Sequence, residues 1–154
     1  MDFDGTLMDT MTPDIGKDLW RKSTGFDWPH QGWWGREESL DMVVFGCKPI
    51  ESVVSAYHQR SGDDSTHMVM MTGRIPPLAR QVKDMLNRHN LKFDEYLFNT
   101  GGATLDFKIN KLNNFLSRFP ALVHIEIYED RPEHTQAFRQ WGDSVKPEVT
   151  VIQV

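Results

Sequence analysis

The run His67-Met68-Val69-Met70-Met71-Thr72, halted by Gly73, constrains this chain more than any other stretch. It lacks the alternation of apolar and polar residues of a half-exposed strand, so a strand made from it must be covered on both faces. Such a strand belongs in a parallel sheet flanked by helices, and the remaining sequence supplies them. Ile50, Val53, Val54 and Tyr57 follow Pro49 at helical spacing, the proline suiting a first turn. Pro76 to His89 predicts another helix, with Leu78, Val82, Met85 and Leu86 on one side. Tyr96 to Phe98 reads as a brief strand, Ile109 to Phe119 as a helix and Val123 to Tyr128 as an apolar strand. His134 to Trp141 then predicts a helix, and Val149 to Ile152 a closing strand.

The region between Leu7 and Thr66 is different. It is polar, broken by proline and glycine, and carries Trp20, Trp28, Trp33 and Trp34; only Leu40 to Phe45 forms a short apolar run before the helix after Pro49. Much of it reads as irregular structure. With 154 residues the expectation is one domain, 1–154, with a cap-like insert at about 8–66. A net charge of −5 gives no electrostatic case for broad nucleic-acid binding. The single cysteine, Cys47, excludes an internal disulfide or a multi-cysteine zinc site. No apolar run approaches the roughly 18 residues of a membrane span. With no signal-like stretch ahead of the first acidic residues, the expected address is the cytoplasm, without membrane partners.

Residues with chemistry gather where strands end, the place where parallel sheets bind ligands. Asp2-Phe3-Asp4-Gly5-Thr6-Leu7 sets two carboxylates one residue apart, on the same side of a strand. The next buried strand ends in Thr72-Gly73-Arg74, and a later one in Glu129-Asp130-Arg131; Lys108 precedes the helix from Ile109. Two aspartates and a further carboxylate make a hard oxygen site suited to Mg²⁺. A lysine and a threonine hydroxyl suit phosphate oxygens. Together they are the parts of phosphoryl transfer through an aspartyl phosphate. Each part alone has a plainer reading: Thr72-Gly73 and Glu129-Asp130 as helix caps, Lys108 as a solvated side chain. Four such coincidences in order favour the chemistry.

These four segments resemble the four motifs of the haloacid dehalogenase superfamily. The resemblance implies an α/β fold, a Rossmann-like three-layer parallel sheet with a small cap insert after the first strand. It implies Asp2 as nucleophile and metal ligand, and Asp4 as general acid/base that ligates Mg²⁺ through its backbone carbonyl. Thr72 and Lys108 would bind the phosphoryl group and Asp130 the metal, with Glu129 in support. Thr6, Gly73, Arg74 and Arg131 are the expected substrate contacts, either arginine being equally able to pair with Asp130 or Glu129. For His134, one turn beyond Asp130, the choice is between orienting a carboxylate and a structural hydrogen bond, and the latter is the expectation. For Asp4 to act as an acid near neutral pH, burial and a neighbouring carboxylate should raise its pKa. Superfamily members carry several apolar residues before the first aspartate, whereas only Met1 precedes Asp2 here. A very short first strand, or residues upstream, is therefore expected.

A narrower resemblance runs over nearly the whole chain. Thr12-Pro13, Leu19-Trp20, Gly32-Trp33-Trp34, Met71-Thr72-Gly73-Arg74, Phe107-Lys108 and Tyr128-Glu129-Asp130-Arg131-Pro132-Glu133-His134 are similar to the Swiss Army Knife RNA-repair-like branch. The Glu-Asp-Arg run also resembles the 3′-phosphatase domains of polynucleotide kinases. What this implies is a phosphorylated substrate, an RNA or DNA end. A small-molecule or nucleotide phosphatase, and a non-catalytic binding module on the same fold, stand as alternatives. No G-x-x-x-x-G-K-[ST] occurs, so an end-repair role would need a separate kinase or ligase partner. The tryptophans of the insert either stack on a nucleobase or pack the insert onto the core, and packing is the expectation.

Overall fold

The computed structural model describes residues 1–154. Its helices are Pro13–Thr24 (α1), Met42–Phe45 (α2), Glu51–Arg60 (α3), Ala79–Asn87 (α4), Thr104–Arg118 (α5) and Pro132–Gly142 (α6). Four strands, Val69–Thr72 (β1), Glu95–Phe98 (β2), His124–Glu129 (β3) and Glu148–Gln153 (β4), form two parallel pairs, β1 with β2 and β3 with β4. No helix is long and apolar enough to cross a membrane.

The apolar run after His67 behaves as its composition requires. Met70 enters a core cluster with Phe3, Leu78, Val82 and Leu86, whereas Met71 enters a second one with Phe107, Phe115, Ile127 and Phe138. Consecutive strand residues point to opposite faces, so β1 is buried on both. Helix α4 supplies Val82, Met85 and Leu86 to the first cluster. Helices α5 and α6 cover the second with Phe107, Leu112, Phe115 and Phe138.

Between the two pairs lies the amino terminus. The Met1 amino group donates to Val69 O at 2.9 Å and Met1 O accepts from Met71 N at 3.0 Å. These two bonds straddle Met70 in the pattern of a parallel ladder. On the other side, Asp2 N donates to Tyr128 O of β3 at 3.0 Å. The order across the strands is therefore β2, β1, Met1–Asp2, β3, β4. These two residues bring Asp2 level with the carboxyl ends of β1 and β3.

Several boundaries differ from the sequence reading, three of them in substance. Helix α1 occupies part of the stretch read as irregular. Pro13 opens it, Gly25 closes it in the left-handed conformation (φ 78°), and its one buried residue is Gly16, against which the Trp33 ring lies. Leu19 and Trp20 pack it, partly buried, against the first core cluster, so α1 does present an apolar side, which the proline and glycine punctuation around it obscured. Helix α5 begins at Thr104, not Ile109, so Lys108 stands inside the helix, beside buried Phe107. Leu40 to Phe45 is split between a 3₁₀ turn over Glu37–Leu40 and α2, whose start Asp41 caps by accepting from Val43 N and Val44 N.

Candidate active site

Asp2, Glu129 and Asp130 bring carboxylate oxygens within 4.8 Å of one another at the carboxyl ends of the Met1–Asp2 segment and β3. Lys108 reaches in from α5. Its Nζ donates to Glu129 Oε2 at 2.6 Å and lies 2.9 Å from Asp2 Oδ2, and all three side chains are buried. The other Asp2 oxygen accepts from Phe3 N at 2.8 Å. Gly5 lets Asp130 approach: it has φ 67°, and a β-carbon there would stand 2.6 Å from Asp130 Oδ2. Thr72 closes β1 fully buried, its Oγ1 accepting from Arg74 N at 3.1 Å.

Three carboxylates facing one ammonium leave excess negative charge in a buried place. Burial, then the Asp2 charge, push Glu129 up to about 7, against the opposing pull of Lys108. Burial and Asp2 likewise raise Asp130. Burial alone would lower Lys108, but Asp2 and Glu129 outweigh it and hold the ammonium above its usual range. His134 Nδ1 stands 3.3 Å from Glu129 Oε1, and burial followed by the Lys108 and Arg131 charges depresses the imidazole. Among the carboxylate oxygens of the cluster, Glu129 Oε1 and Asp130 Oδ1 are buried without a hydrogen-bond partner, Glu129 Oε1 having only His134 Nδ1 at 3.3 Å beside it. Buried polar atoms are nearly always satisfied, so orphans clustered beside excess negative charge fit a bound cation. The donor set, carboxylate oxygens only, suits a hard divalent ion. The Asp4 carbonyl accepts no backbone hydrogen bond.

The Asp4 carboxylate is not in this cluster. It faces Arg74, whose Nε lies 3.1 and 3.0 Å from its two oxygens and whose Nη2 donates to Oδ1 at 2.7 Å. Thr10 Oγ1 donates to the same Oδ1 at 2.8 Å. Its neighbour is thus a cation, not the carboxylate the sequence reading expected. Arg74 also departs from expectation: it is 1% exposed, and its remaining nitrogen, Nη1, donates to Trp34 O and Ser39 Oγ. With every guanidinium nitrogen engaged, it is not placed to clamp a substrate phosphate. Arg131, by contrast, forms neither an ion pair nor a side-chain hydrogen bond and is partly exposed. Gly73 packs against Thr104, the first residue of α5.

The sequence gives no sign of Thr10, Ser39 or the Trp34 carbonyl, because such contacts cross loops of no fixed spacing. Of the insert's tryptophans, Trp33 is buried and donates to Met11 O, and Trp28 packs against Trp20 and Trp33. Trp34 is 36% exposed, its ring 4.9 Å from the Arg74 guanidinium carbon.

The family model for HAD domain family 1 in Swiss Army Knife RNA repair proteins matches residues 13–154. It takes in Thr72, Lys108, Glu129 and Asp130 and begins after the amino-terminal aspartates. No curated protein and no solved structure matches the chain.

Proposed function

The chain belongs to this HAD domain family of RNA repair proteins, and from that premise we propose that it is a Mg²⁺-dependent phosphatase working through an aspartyl phosphate. The observation that carries the reading is the convergence of Asp2, Glu129 and Asp130 within 4.8 Å, with Lys108 bound to two of them. On this reading the two strand pairs flank a central position held by Met1 and Asp2, as in a three-layer Rossmann-like sheet. Residues 8–66 are then a cap-side insert in one domain spanning 1–154.

Asp2 attacks phosphorus with a carboxylate oxygen; an O–P bond forms as the bond to the leaving oxygen breaks. Asp4 in its protonated form gives that oxygen its proton. The carboxylate left behind, the form that Arg74 and Thr10 are placed to hold, then takes one from the water that hydrolyses the aspartyl phosphate. Lys108 and the Thr72 hydroxyl meet the charge that builds on the transferring group. Asp2, Asp130 and the Asp4 carbonyl would hold Mg²⁺, with Glu129 beside them, and the ion would supply further positive charge there. Arg131 is the free cation for a substrate phosphate, with the Thr6 hydroxyl and the Gly73 backbone beside it. His134 and Glu129 keep Lys108 in place.

As substrate we favour a phosphorylated RNA or DNA end. Family membership supports it, as does Trp34, a partly exposed ring stacked on Arg74 that suits a terminal base. A kinase or ligase acting on the same ends would then be a separate protein. The test compares Mg²⁺-dependent hydrolysis of an aryl phosphate, 3′- and 5′-phosphorylated oligonucleotides and mononucleotides. Preference for an oligonucleotide end is expected. Preference for mononucleotides would point to a metabolite phosphatase, and a folded protein inert on every substrate would point to a binding module.

A further inference from the structure

Resting on the phosphatase reading, we propose that Ser39 and Trp34 are positioning residues for the acid step, acting on Asp4 through Arg74. The guanidinium is a planar fork whose two sides meet different parts of the chain. One side, Nε and Nη2, holds both oxygens of Asp4; the other, Nη1, holds Trp34 O at 2.9 Å and Ser39 Oγ at 2.6 Å. The Ser39 hydroxyl donates its own proton to Arg36 O at 2.6 Å, so towards Arg74 it can only accept. That fixes the direction of the whole relay, Arg74 to Ser39 to Arg36.

Ser39 is fully buried, and the Trp34 ring lies over the guanidinium at 4.9 Å. Because the fork is rigid, a shift at its Nη1 edge moves the edge that holds Asp4. Lysine, a point charge on a flexible stem, would not transmit that shift. The segment 34–39, distant in sequence from every residue of the carboxylate cluster, thus sets where the Asp4 carboxyl lies relative to the leaving oxygen. Thr10 anchors the same carboxyl from its own loop. Trp34 and Ser39 touch no residue of the Asp2–Glu129–Asp130 cluster directly, so their effect falls on proton delivery and spares attack by Asp2.

Leaving-group chemistry separates this role from a structural one. p-Nitrophenolate departs without a proton, whereas the secondary alkoxide of glycerol 2-phosphate needs one. Ser39→Ala should lower kcat on glycerol 2-phosphate about tenfold more than on p-nitrophenyl phosphate, a fraction of the ~10²–10⁴-fold worth of a general acid. KM should hold on both. Ser39→Thr, which keeps the hydroxyl, should restore the ratio, and Trp34→Leu should lower it as Ser39→Ala does. Melting temperatures of all variants establish that folded protein is compared. Equal losses on both substrates, or no change in the ratio, would overturn the proposal while leaving the phosphatase reading intact. A folded wild type that hydrolyses neither ester, nor any 3′- or 5′-phosphorylated oligonucleotide, would overturn both.

Discussion

Lys108 is one ammonium among three carboxylates, and that imbalance governs the site. Glu129 carries the clearest consequence. Its folded-state pKa is raised to about 7 from 4.5, so without a metal ion its ionisation opposes folding. The penalty is absent below pH 4.5, grows as pH rises towards 7 and is constant above. Glu129→Gln removes it. The melting temperature of this variant relative to wild type should therefore climb between pH 4.5 and 7 in chelator, as scanning calorimetry would record. A flat difference would contradict the raised pKa. The convergence of Asp2, Glu129 and Asp130 was legible in the sequence because each stands at the end of a strand-like segment, and such ends in a parallel sheet share one rim, whereas Lys108 reaches that rim from within α5. The partners of Asp4 were not. Arg74 lies 70 residues from it and Ser39 35 from Arg74, and nothing in local spacing ties a buried fork to its acceptors.

At the scale of elements, the turn after Asp4 matters as much as the strand before it. Gly5 combines φ 67° with the close approach of Asp130, so Gly5→Ala meets both strain and collision. A loss of about 1–3 kcal/mol is expected from the backbone alone. Displacement of Asp130 should add a higher Mg²⁺ requirement, measured by titrating activity with the ion. At the opposite end of β2, Glu95 binds Arg118 of α5 at 2.7 and 3.0 Å and His67 at 2.8 Å. The Arg118 hydrogen bonds, followed by that of His67, hold its carboxyl down at about 2. A depressed carboxylate stabilises the fold above its unfolded pKa, near 4.5, and loses that contribution as pH falls towards 2. Glu95→Gln should thus lower the melting temperature at pH 7 and converge with wild type in acid; a constant gap would refute the assignment. Strand β1 and the register of α4 were readable because their burial is heavy and periodic. Helix α1 was not, since its inward side rests on Gly16 and the partly buried Leu19 and Trp20 within a stretch broken by proline and glycine. The first turn of α5 was missed because apolar Leu105 and Phe107 alternate there with polar Thr104 and Asp106 and do not show helical spacing.

Across the whole molecule, β1 joins two hydrophobic clusters back to back, and Met1–Asp2 ties one strand pair to the other at the rim where the carboxylates meet. Metal binding should therefore act on global stability. Mg²⁺ favours the ionised carboxylates, so its effect on melting temperature should be larger at pH 8 than at pH 5.5, and Asp130→Asn should abolish most of it. The α/β alternation was legible from the sequence as a whole, but the division into two pairs around a two-residue bridge depends on hydrogen bonds that only the folded chain displays. The most direct test of the account is to quench the wild type with acid during turnover of a radiolabelled phosphorylated oligonucleotide and map the label. The expected result is a hydroxylamine-labile phosphate on the peptide carrying Asp2, lost along with turnover in Asp2→Asn. Undiminished hydrolysis by folded Asp2→Asn, with no label at that position in the wild type, would contradict it.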